Sequence, residues 1–258
     1  MIQEMAMKQK ILSVVSNVRL TDDVYRMVLA DNDKTTDEPI ISAPGQFINI
    51  KLDGYFLRRP ISVADWDNDE RTVTIIYKVA GDGTEYMKSL EAGKNLDVLL
   101  PLGNGFDISK SGINPVLIGG GAGLPPMYGT AKALIREGIK PSVIAGFNDE
   151  SQVFLVKELE ELGAEVHVTT VDGSMGTKGF VTDQLIKMNY SHIFTCGPEP
   201  MLRAIDKAMP EFMDGQFSFE ERMGCGFGAC MGCSCKTKYG SKRICKEGPV
   251  LERSEIIW

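Results

Sequence analysis

Four cysteines near the end of the chain are spaced C-x4-C-x2-C-x11-C, and they are Cys225, Cys230, Cys233 and Cys245. Three closely spaced thiols followed by a distant fourth are typical of the ligands of a [2Fe-2S] cluster. Glycines recur through the loop GCGFGACMGCSC, so its backbone can wrap closely and its amide N–H groups can point at anionic sulfurs. The spacing therefore predicts an iron–sulfur module that exchanges single electrons.

Structural zinc and disulfides are the other interpretations of these cysteines. Structural zinc more often uses two C-x2-C pairs, and this chain has one. Six cysteines in 258 residues make a sparse disulfide scaffold, and the N-terminal MIQEMAMKQK does not look like a signal peptide. Cys235 competes with Cys245 for the fourth ligand position. We favour Cys245, because ligands two residues apart are sterically awkward on one iron and the pattern would lose its distant thiolate.

The composition narrows the function classes. With 43% hydrophobic and 24% charged residues, the chain is long enough for two ordinary globular domains. A formal charge of -7 disfavours a nucleic-acid partner, and the absence of an 18-residue apolar run disfavours a membrane span, so we expect a cytoplasmic protein. The only histidines, His167 and His192, lie in apolar strand-like stretches, where a structural role is expected rather than a catalytic one.

The order of strand-like and helix-like segments predicts three domains. Six β-rich runs between about residues 10 and 108 favour a six-stranded antiparallel β-barrel, with a short helix at about 84–90 plugging one end. After Gly112, strands and helices alternate, which predicts a doubly wound parallel sheet. The alternation stops near Asp214. The predicted fold is a multidomain β + α/β chain, with a barrel at 1–110, a nucleotide domain at 111–213 and a small [2Fe-2S] module at 214–258.

Two glycine-containing motifs indicate a nucleotide crevice in the predicted sheet. Residues 119–123 (GGGAG) follow an apolar strand and precede a helix, although Leu124-Pro125-Pro126 replaces the last part of the G-x-G-x-x-G pattern. Cys196-Gly197-Pro198 ends the fourth predicted strand, at the edge where open α/β sheets bind ligands. A plain strand-to-helix turn and a buried structural cysteine are the alternatives.

Acidic residues after the second strand of this sheet favour NAD over NADP. Asp149 and Glu150 follow Asn148, and a carboxylate there would bind a ribose hydroxyl but repel a 2′-phosphate. Alternatively, both acids simply face solvent at a helix start.

In the barrel segment, the run Arg58-Arg59-Pro60-Ile61-Ser62 suits a flavin. Arginine can bind a pyrophosphate, and a nearby hydroxyl can reach a ring nitrogen. Two solvated arginines on a surface strand are the alternative.

Together, the barrel, the nucleotide sheet and the motifs R-x-x-S, G-G-G-x-G and C-G-P resemble the ferredoxin-NADP reductase superfamily from about residue 10 to 212. With the cysteine loop and the tail CKEGPVLERSEIIW, the whole chain resembles the electron-transfer subunits of class B dihydroorotate dehydrogenases. The resemblance implies FAD in the barrel, a [2Fe-2S] cluster in the module and NAD as co-substrate. It also implies an FMN-containing catalytic partner that oxidises dihydroorotate to orotate in pyrimidine biosynthesis, in a heterotetramer of two of each chain.

The resemblance also assigns residues. Arg59 would bind the FAD pyrophosphate and Ser62 would lie near the reactive edge of the flavin, while Ile61 replaces the aromatic residue common in the superfamily. Tyr77 would be available to stack, and the amides of Gly83 and Thr84 would face phosphate. Glu220 would sit beside the nicotinamide. The full expected sets are Arg59, Pro60, Ile61, Ser62, Ile76, Tyr77, Lys78, Gly83 and Thr84 for FAD, and Gly120, Gly121, Gly123, Cys196, Gly197 and Pro198 for NAD.

The expected order of electron carriers is NAD, FAD, cluster and partner, because a flavin exchanges both electron pairs and single electrons. Only 13 residues follow Cys245, so we expect a second polypeptide to supply the substrate-oxidising site. Two rival functions remain open: an NADH-linked flavin reductase that serves a hydrogenase, oxygenase or transhydrogenase, and a non-enzymatic redox sensor.

A basic run surrounds the last cysteine in this otherwise acidic chain. Its members are Lys236, Lys238, Lys242, Arg243 and Lys246. Positive charge there would raise the cluster potential and could dock an acidic partner, and a solvated hairpin is the alternative. The apolar end Ile256-Ile257-Trp258 suggests either an interface anchor or packing within the module.

Overall fold

The computed structural model describes residues 6–33, 35 and 38–258. Its first part is a closed antiparallel barrel, which confirms the sequence prediction, with strand order β1-β2-β5-β4-β3-β6. The strands are β1 (Lys8–Arg19), β2 (Val24–Ala30), β3 (Phe47–Ile50), β4 (Arg59–Asp67), β5 (Thr72–Lys78) and β6 (Asn95–Leu102).

The predicted short helix, α1 (Asp82–Lys88), packs onto the barrel core. Met87 is fully buried in the same apolar cluster as the inward-facing strand residues, among them Ile48 and Ile50. Asn17 on β1 fixes the end of the helix, since its Nδ2 donates to the carbonyl oxygens of Met87 at 2.9 Å and Leu90 at 3.1 Å.

The second part is a seven-stranded sheet of order β10-β9-β8-β7-β11-β12-β15, parallel except for the last strand. Its strands are β7 (Pro115–Gly120), β8 (Ser142–Phe147), β9 (Glu165–Thr170), β10 (Thr177–Lys178), β11 (His192–Cys196), β12 (Gly215–Ser218) and β15 (Val250–Glu252), and β13 (Ser234–Thr237) pairs with β14 (Gly240–Arg243) in a separate hairpin. The remaining helices are α2 (Leu124–Arg136), α3 (Val156–Leu162), α4 (Val181–Leu185) and α5 (Glu199–Ala208).

Helices cover both faces of this sheet. Residues of α2 and α3 pack with Leu117 of β7, whereas residues of α4 and α5 pack with its neighbours Val116 and Ile118. Because successive residues of a strand point to opposite faces, these two clusters lie on opposite sides. The doubly wound arrangement is therefore confirmed.

The parallel sheet continues into the cysteine-bearing segment. Strand β12 pairs in parallel with β11, and β15 pairs antiparallel with β12. The division predicted at residue 214 therefore falls between strands of one sheet, and residues 219–249 form a long excursion between two of its strands. No helix within the described residues is long and apolar enough to cross a membrane.

The C-terminal tryptophan packs against its own chain. The indole Nε1 of Trp258 donates to Asp206 Oδ2 at 2.8 Å, and its ring contacts Phe219 at a centroid distance of 5.6 Å. Arg253 donates to the other oxygen of the same carboxylate at 2.6 Å. Of the two roles open for the apolar end, the structure supports packing, which ties the end of the chain to helix α5.

His192 is buried at the start of β11, in keeping with a structural role. Its ring lies 4.7 Å from that of Phe194, and its Nε2 has no hydrogen-bond partner among the described residues. Desolvation lowers the pKa of His192, while Asp214 and Asp107 oppose that shift and Lys110 adds to it. The imidazole therefore stays neutral to a lower pH in the folded protein than in the unfolded chain.

We expect His192 to make the protein less stable in mild acid. In the unfolded chain a histidine takes up a proton near pH 6.5, which is above the pKa of His192 in the folded protein. The contribution of neutral His192 to the free energy of unfolding is therefore full above pH 6.5 and is lost as the pH falls through the folded pKa. Urea unfolding from pH 7.5 to 5 should show a steeper loss of stability for the wild type than for His192→Phe. Equal slopes for the wild type and His192→Phe would contradict this explanation.

Candidate flavin, nucleotide and cluster sites

A cleft of about 250 Å³ lies between the barrel and the parallel sheet. Strands β4 and β5 line its barrel side, and the ends of β11 and β12 line the other. Most of the residues expected around the flavin and the nicotinamide meet here. They are Pro60, Ile61, Ser62, Ile76, Tyr77, Lys78, Cys196 and Glu220.

Arg59 lies directly over the start of helix α1. A Cβ atom added to Gly83 would lie 2.1 Å from Arg59 Nε, so only glycine leaves room for the guanidinium. The guanidinium also sits 5.1 Å above the ring centroid of Tyr55, and it has no carboxylate partner among the described residues. A positive charge beside the unpaired N–H groups of a helix start suits a pyrophosphate.

The hydroxyl of Thr84 has a local structural role. It accepts hydrogen bonds from the amides of Ala80 at 2.9 Å and Gly81 at 3.2 Å, so it caps the helix. The backbone amides of the first turn are left to face a ligand.

Arg58, the other arginine of the pair, faces away from this site. Its Nη2 donates to Asp97 Oδ1 at 2.9 Å, and its Nη1 donates to the Asp97 carbonyl at 3.0 Å and the Asn49 carbonyl at 3.3 Å. Arg58 is therefore a brace between barrel strands, and the pyrophosphate function expected of an arginine pair rests on Arg59.

The expectation that Tyr77 stacks on the flavin is wrong. Its ring is buried in the barrel core, because strand alternation places it on the inner face with Ile75. The hydroxyl donates to Asn17 Oδ1 at 3.0 Å, and burial raises the pKa of Tyr77 to about 12. What β5 can offer a flavin here is backbone and the neighbouring side chains Ile76 and Lys78.

A larger cleft of about 670 Å³ opens at the carboxyl ends of the parallel strands. Five of the residues expected to bind NAD line it: Gly120, Gly121, Gly123, Gly197 and Pro198. A Cβ atom on Gly123 would lie 2.0 Å from the Cys196 carbonyl oxygen, so the glycine loop and the Cys-Gly-Pro turn touch through their backbones.

The carboxylates that sequence reasoning assigned to a ribose hydroxyl do not line this larger cleft. Asp149 accepts hydrogen bonds from Ser151 and holds a local turn, and neither it nor Glu150 lines the cleft. The amides of Asn148 and Gln152 line it instead, with Thr169 and Thr182 among the other polar residues that sequence reasoning missed. Lys78 is the one basic residue in the described lining, and no arginine is present to receive a 2′-phosphate.

The two clefts meet at Lys78 and Glu220, which line both. The Glu220 residue keeps solvent-exposed surface, yet desolvation by the surrounding atoms raises the pKa of its carboxyl. Cys196 is buried beside it, and desolvation together with the Glu220 charge raises the pKa of that thiol to about 12. Cys196 is therefore a neutral thiol at physiological pH.

The cluster cysteines lie in two pairs. In the first, the Cys225 sulfur accepts from the amide of Cys230 at 3.4 Å, and in the second, the Cys233 sulfur accepts from the amide of Cys245 at 3.4 Å. Desolvation opposes ionisation of Cys225, but backbone N–H donors, including that of Ala229 at 3.2 Å, lower its pKa to about 6.

This paired arrangement fits two irons better than one zinc ion. A [2Fe-2S] cluster takes two thiolates on each iron, whereas structural zinc gathers four ligands around one ion. Cys235 lies on β13, where desolvation and Glu221 raise the pKa of its thiol, and it belongs to neither pair.

The central members of the basic run are paired within the module. Lys242 forms an ion pair with Glu255, and Arg243 forms one with Glu247 and also donates to the Gly228 carbonyl at 2.6 Å. These partners largely neutralise the two charges, and the contacts hold the cysteine loop and the hairpin in place. The structure therefore gives no support to these two residues as free contacts for an acidic partner.

Comparison with known proteins agrees with this arrangement. The model for the "Iron-sulfur cluster binding domain of dihydroorotate dehydrogenase B" matches residues 220–257, and that for the "Oxidoreductase NAD-binding domain" matches 117–207. A dihydroorotate dehydrogenase B (NAD(+)) electron transfer subunit from Fusobacterium nucleatum is 41% identical, covering 97% of this chain and 99% of that protein. The chain belongs to this family.

Other dihydroorotate dehydrogenase B subunits and solved structures extend the similarity. The subunit from Geobacillus sp. is 38% identical over 97% of this chain and 99% of its own. A structure of an NADH-dependent reduced ferredoxin-NADP oxidoreductase has a TM-score of 0.85 and 28% identity, covering 96% of this chain and 90% of that one. The ferredoxin reductase of carbazole 1,9a-dioxygenase, at 22% identity and a TM-score of 0.69 over 81% of this chain and 68% of that one, shows the shared fold alone.

We expect Gly83→Ala to weaken FAD binding by about tenfold or more, since displacing Arg59 forfeits a charge-assisted hydrogen bond of about 1.5–3 kcal/mol. The displaced group is the end of a flexible side chain, so the barrel should still fold. Gly81→Ala is the matched control, because nothing lies within 4 Å of its added Cβ and its φ of 178° suits any residue. Fluorescence titration of the apoprotein with FAD measures both variants, and equal affinities would argue against a pyrophosphate site at Arg59.

Proposed function

We propose that this chain transfers electrons between NAD and the catalytic partner of a dihydroorotate dehydrogenase B. The observation that carries the proposal is the adjacency of three sites: the nucleotide cleft joins the flavin cleft at Lys78 and Glu220, and the cysteine loop follows directly in the chain. The near full-length similarity to electron transfer subunits supports it. When bound, FAD exchanges hydride with a nicotinamide and single electrons with an iron–sulfur cluster.

The residues of the junction position and shield the reacting groups. Gly120, Gly121 and Gly123 let the nucleotide approach the helix start, while Gly197 and Pro198 line the cleft beside the nicotinamide. Ser62 lines the flavin cleft on the barrel side, opposite the neutral thiol of Cys196. Arg59 with the Gly83 and Thr84 amides holds the pyrophosphate, and Pro60, Ile61, Ile76, Tyr77 and Lys78 form the adjoining wall.

The four paired cysteines, Cys225, Cys230, Cys233 and Cys245, are the proposed cluster ligands. We retain the functional division into an FAD-binding barrel at 1–110, an NAD-binding domain at 111–213 and a cluster module at 214–258. The family matches to 117–207 and 220–257 support the last two.

The proposed partner is an FMN-containing catalytic subunit that oxidises dihydroorotate to orotate in pyrimidine biosynthesis, with two copies of each chain in the complex. The relatives' names, which describe them as electron transfer subunits of an NAD(+)-linked enzyme, support a separate catalytic chain and electron flow towards NAD+. We also propose a cytoplasmic location, which the free thiols of Cys196 and Cys235, the two cysteines outside the proposed ligand set, support.

A second candidate is a reductase that passes electrons from NADH to another acceptor. The structural similarity to an NADH-dependent reduced ferredoxin-NADP oxidoreductase favours it specifically. It would use the same cofactors and differ only in its partner.

Reconstitution with a dihydroorotate dehydrogenase B catalytic subunit tests the proposal. We expect NAD+ reduction at the expense of dihydroorotate only when both chains are present. Cys245→Ser should abolish it with loss of cluster absorption, and Cys235→Ser should retain both. A complex that forms no NADH from dihydroorotate, while this chain still reduces ferredoxin with NADH, would favour the second candidate.

A further inference from the structure

Strand β3 separates the flavin cleft from the cysteine loop. Its residues alternate, so that Ile48 and Ile50 fill the barrel while Phe47 and Asn49 point outward. Phe47 lines the flavin cleft and packs in the same apolar cluster as Cys233 and Cys245.

Asn49 makes the polar contact between this strand and the cysteine loop. Its Nδ2 donates to the carbonyl oxygen of Cys225, the first proposed ligand, at 3.3 Å. The next residue, Gly226, has a φ of 78°, and a Cβ atom there would lie 2.1 Å from the same Nδ2. The loop therefore rests directly on the Asn49 amide, and glycine is required at the contact.

The backbone of Asn49 belongs to the flavin side of the molecule. Asn49 is the Cα partner of Pro60 on β4, inside the proposed flavin motif, and its carbonyl accepts from Arg58 at 3.3 Å. The brace that Arg58 forms with Asp97 thus also fixes Asn49. One residue links the strand that lines the flavin cleft to the first cysteine of the loop.

Burial of the Asn49 side chain has a cost in folding free energy. Asn49 is 1% exposed, and its Oδ1 is buried without a hydrogen-bond partner among the described residues. An apolar side chain of similar size would leave no unpaired oxygen, so packing alone does not account for an amide here.

We infer that Asn49 is a positioning residue that fixes the cluster loop relative to the flavin strand and thereby sets the electronic environment and the reduction rate of the cluster. This inference rests on the proposed function, since it needs both cofactors in their proposed sites. In the test below, NADH supplies the electron that reaches the cluster through the flavin, the reverse of the proposed flow towards NAD+, and the role of Asn49 is to hold the Cys225 end of the loop in place.

The test compares Asn49→Leu and Asn49→Asp in the full chain loaded with FAD and cluster. Leu removes the donor without adding charge, and Asp sets a carboxylate against the Cys225 carbonyl. In stopped-flow experiments with NADH, we expect the rate of flavin bleaching to be unchanged. The rate of cluster reduction should fall by about fivefold or more, which is the factor by which loss of a typical hydrogen bond shifts an equilibrium. We also expect altered cluster g values in electron paramagnetic resonance and, for Asp, a lower midpoint potential.

Asn104→Leu is the matched control. Asn104 also joins the barrel to the module, accepting from the Val250 amide at 3.1 Å and donating to the carbonyls of Val250 at 2.8 Å and Glu247 at 3.3 Å, but it forms no hydrogen bond to residues 224–235 of the cysteine loop. It should lower the thermal midpoint while leaving the g values and the cluster reduction rate unchanged. Cluster loss confined to the Asn49 variants would also support the inference.

The inference about Asn49 would be overturned if both Asn49 variants kept the wild-type g values, midpoint potential and cluster reduction rate. It would also be overturned if the Asn104 control changed these quantities equally. A wild-type chain that binds no cluster, or whose flavin NADH does not reduce, would instead refute the proposed function.

Discussion

The parallel pairing of β12 with β11 is the constraint on which the site depends. Because both strands run in the same direction, the chain leaves β12 at Ser218 on the edge where β11 ends at Cys196. Glu220 follows two residues later, and the cysteine loop begins directly afterwards. The nucleotide cleft, the flavin cleft and the cluster loop are thereby gathered at one edge of one sheet. Strand β15 then returns the chain to that sheet and anchors the far end of the excursion.

Close contacts at three glycines set the geometry around these sites. Gly123 touches the Cys196 backbone, Gly83 receives the Arg59 guanidinium, and Gly226 rests on the amide of Asn49. In each case a Cβ atom would force the neighbouring group to move. Such contacts let ligand-binding segments approach closely, which suits sites that must keep fixed separations.

The sequence predicts the strand and helix order and most of the candidate site, because these depend on local signals. Hydrophobic periodicity, glycine loops and cysteine spacing are all patterns formed by residues that are close together in the sequence. The Tyr77 error is a local one, since alternation along β5 places its ring on the inner face with Ile75. The other errors come from partners that are distant along the chain: whether Arg58 reaches a ligand depends on Asp97. The Lys242–Glu255 pair and the role of Asn49 likewise depend on tertiary contacts.

The most direct test of the central claim is an anaerobic visible absorption spectrum of the purified chain, recorded before and after addition of NADH. The structure predicts flavin bands together with broad iron–sulfur absorption, and NADH should bleach both, since the three sites lie side by side. A flavin that NADH bleaches while the iron–sulfur absorption persists would contradict electron transfer from the flavin cleft to the cysteine loop. A colourless protein after anaerobic preparation would contradict the assignment of both cofactors.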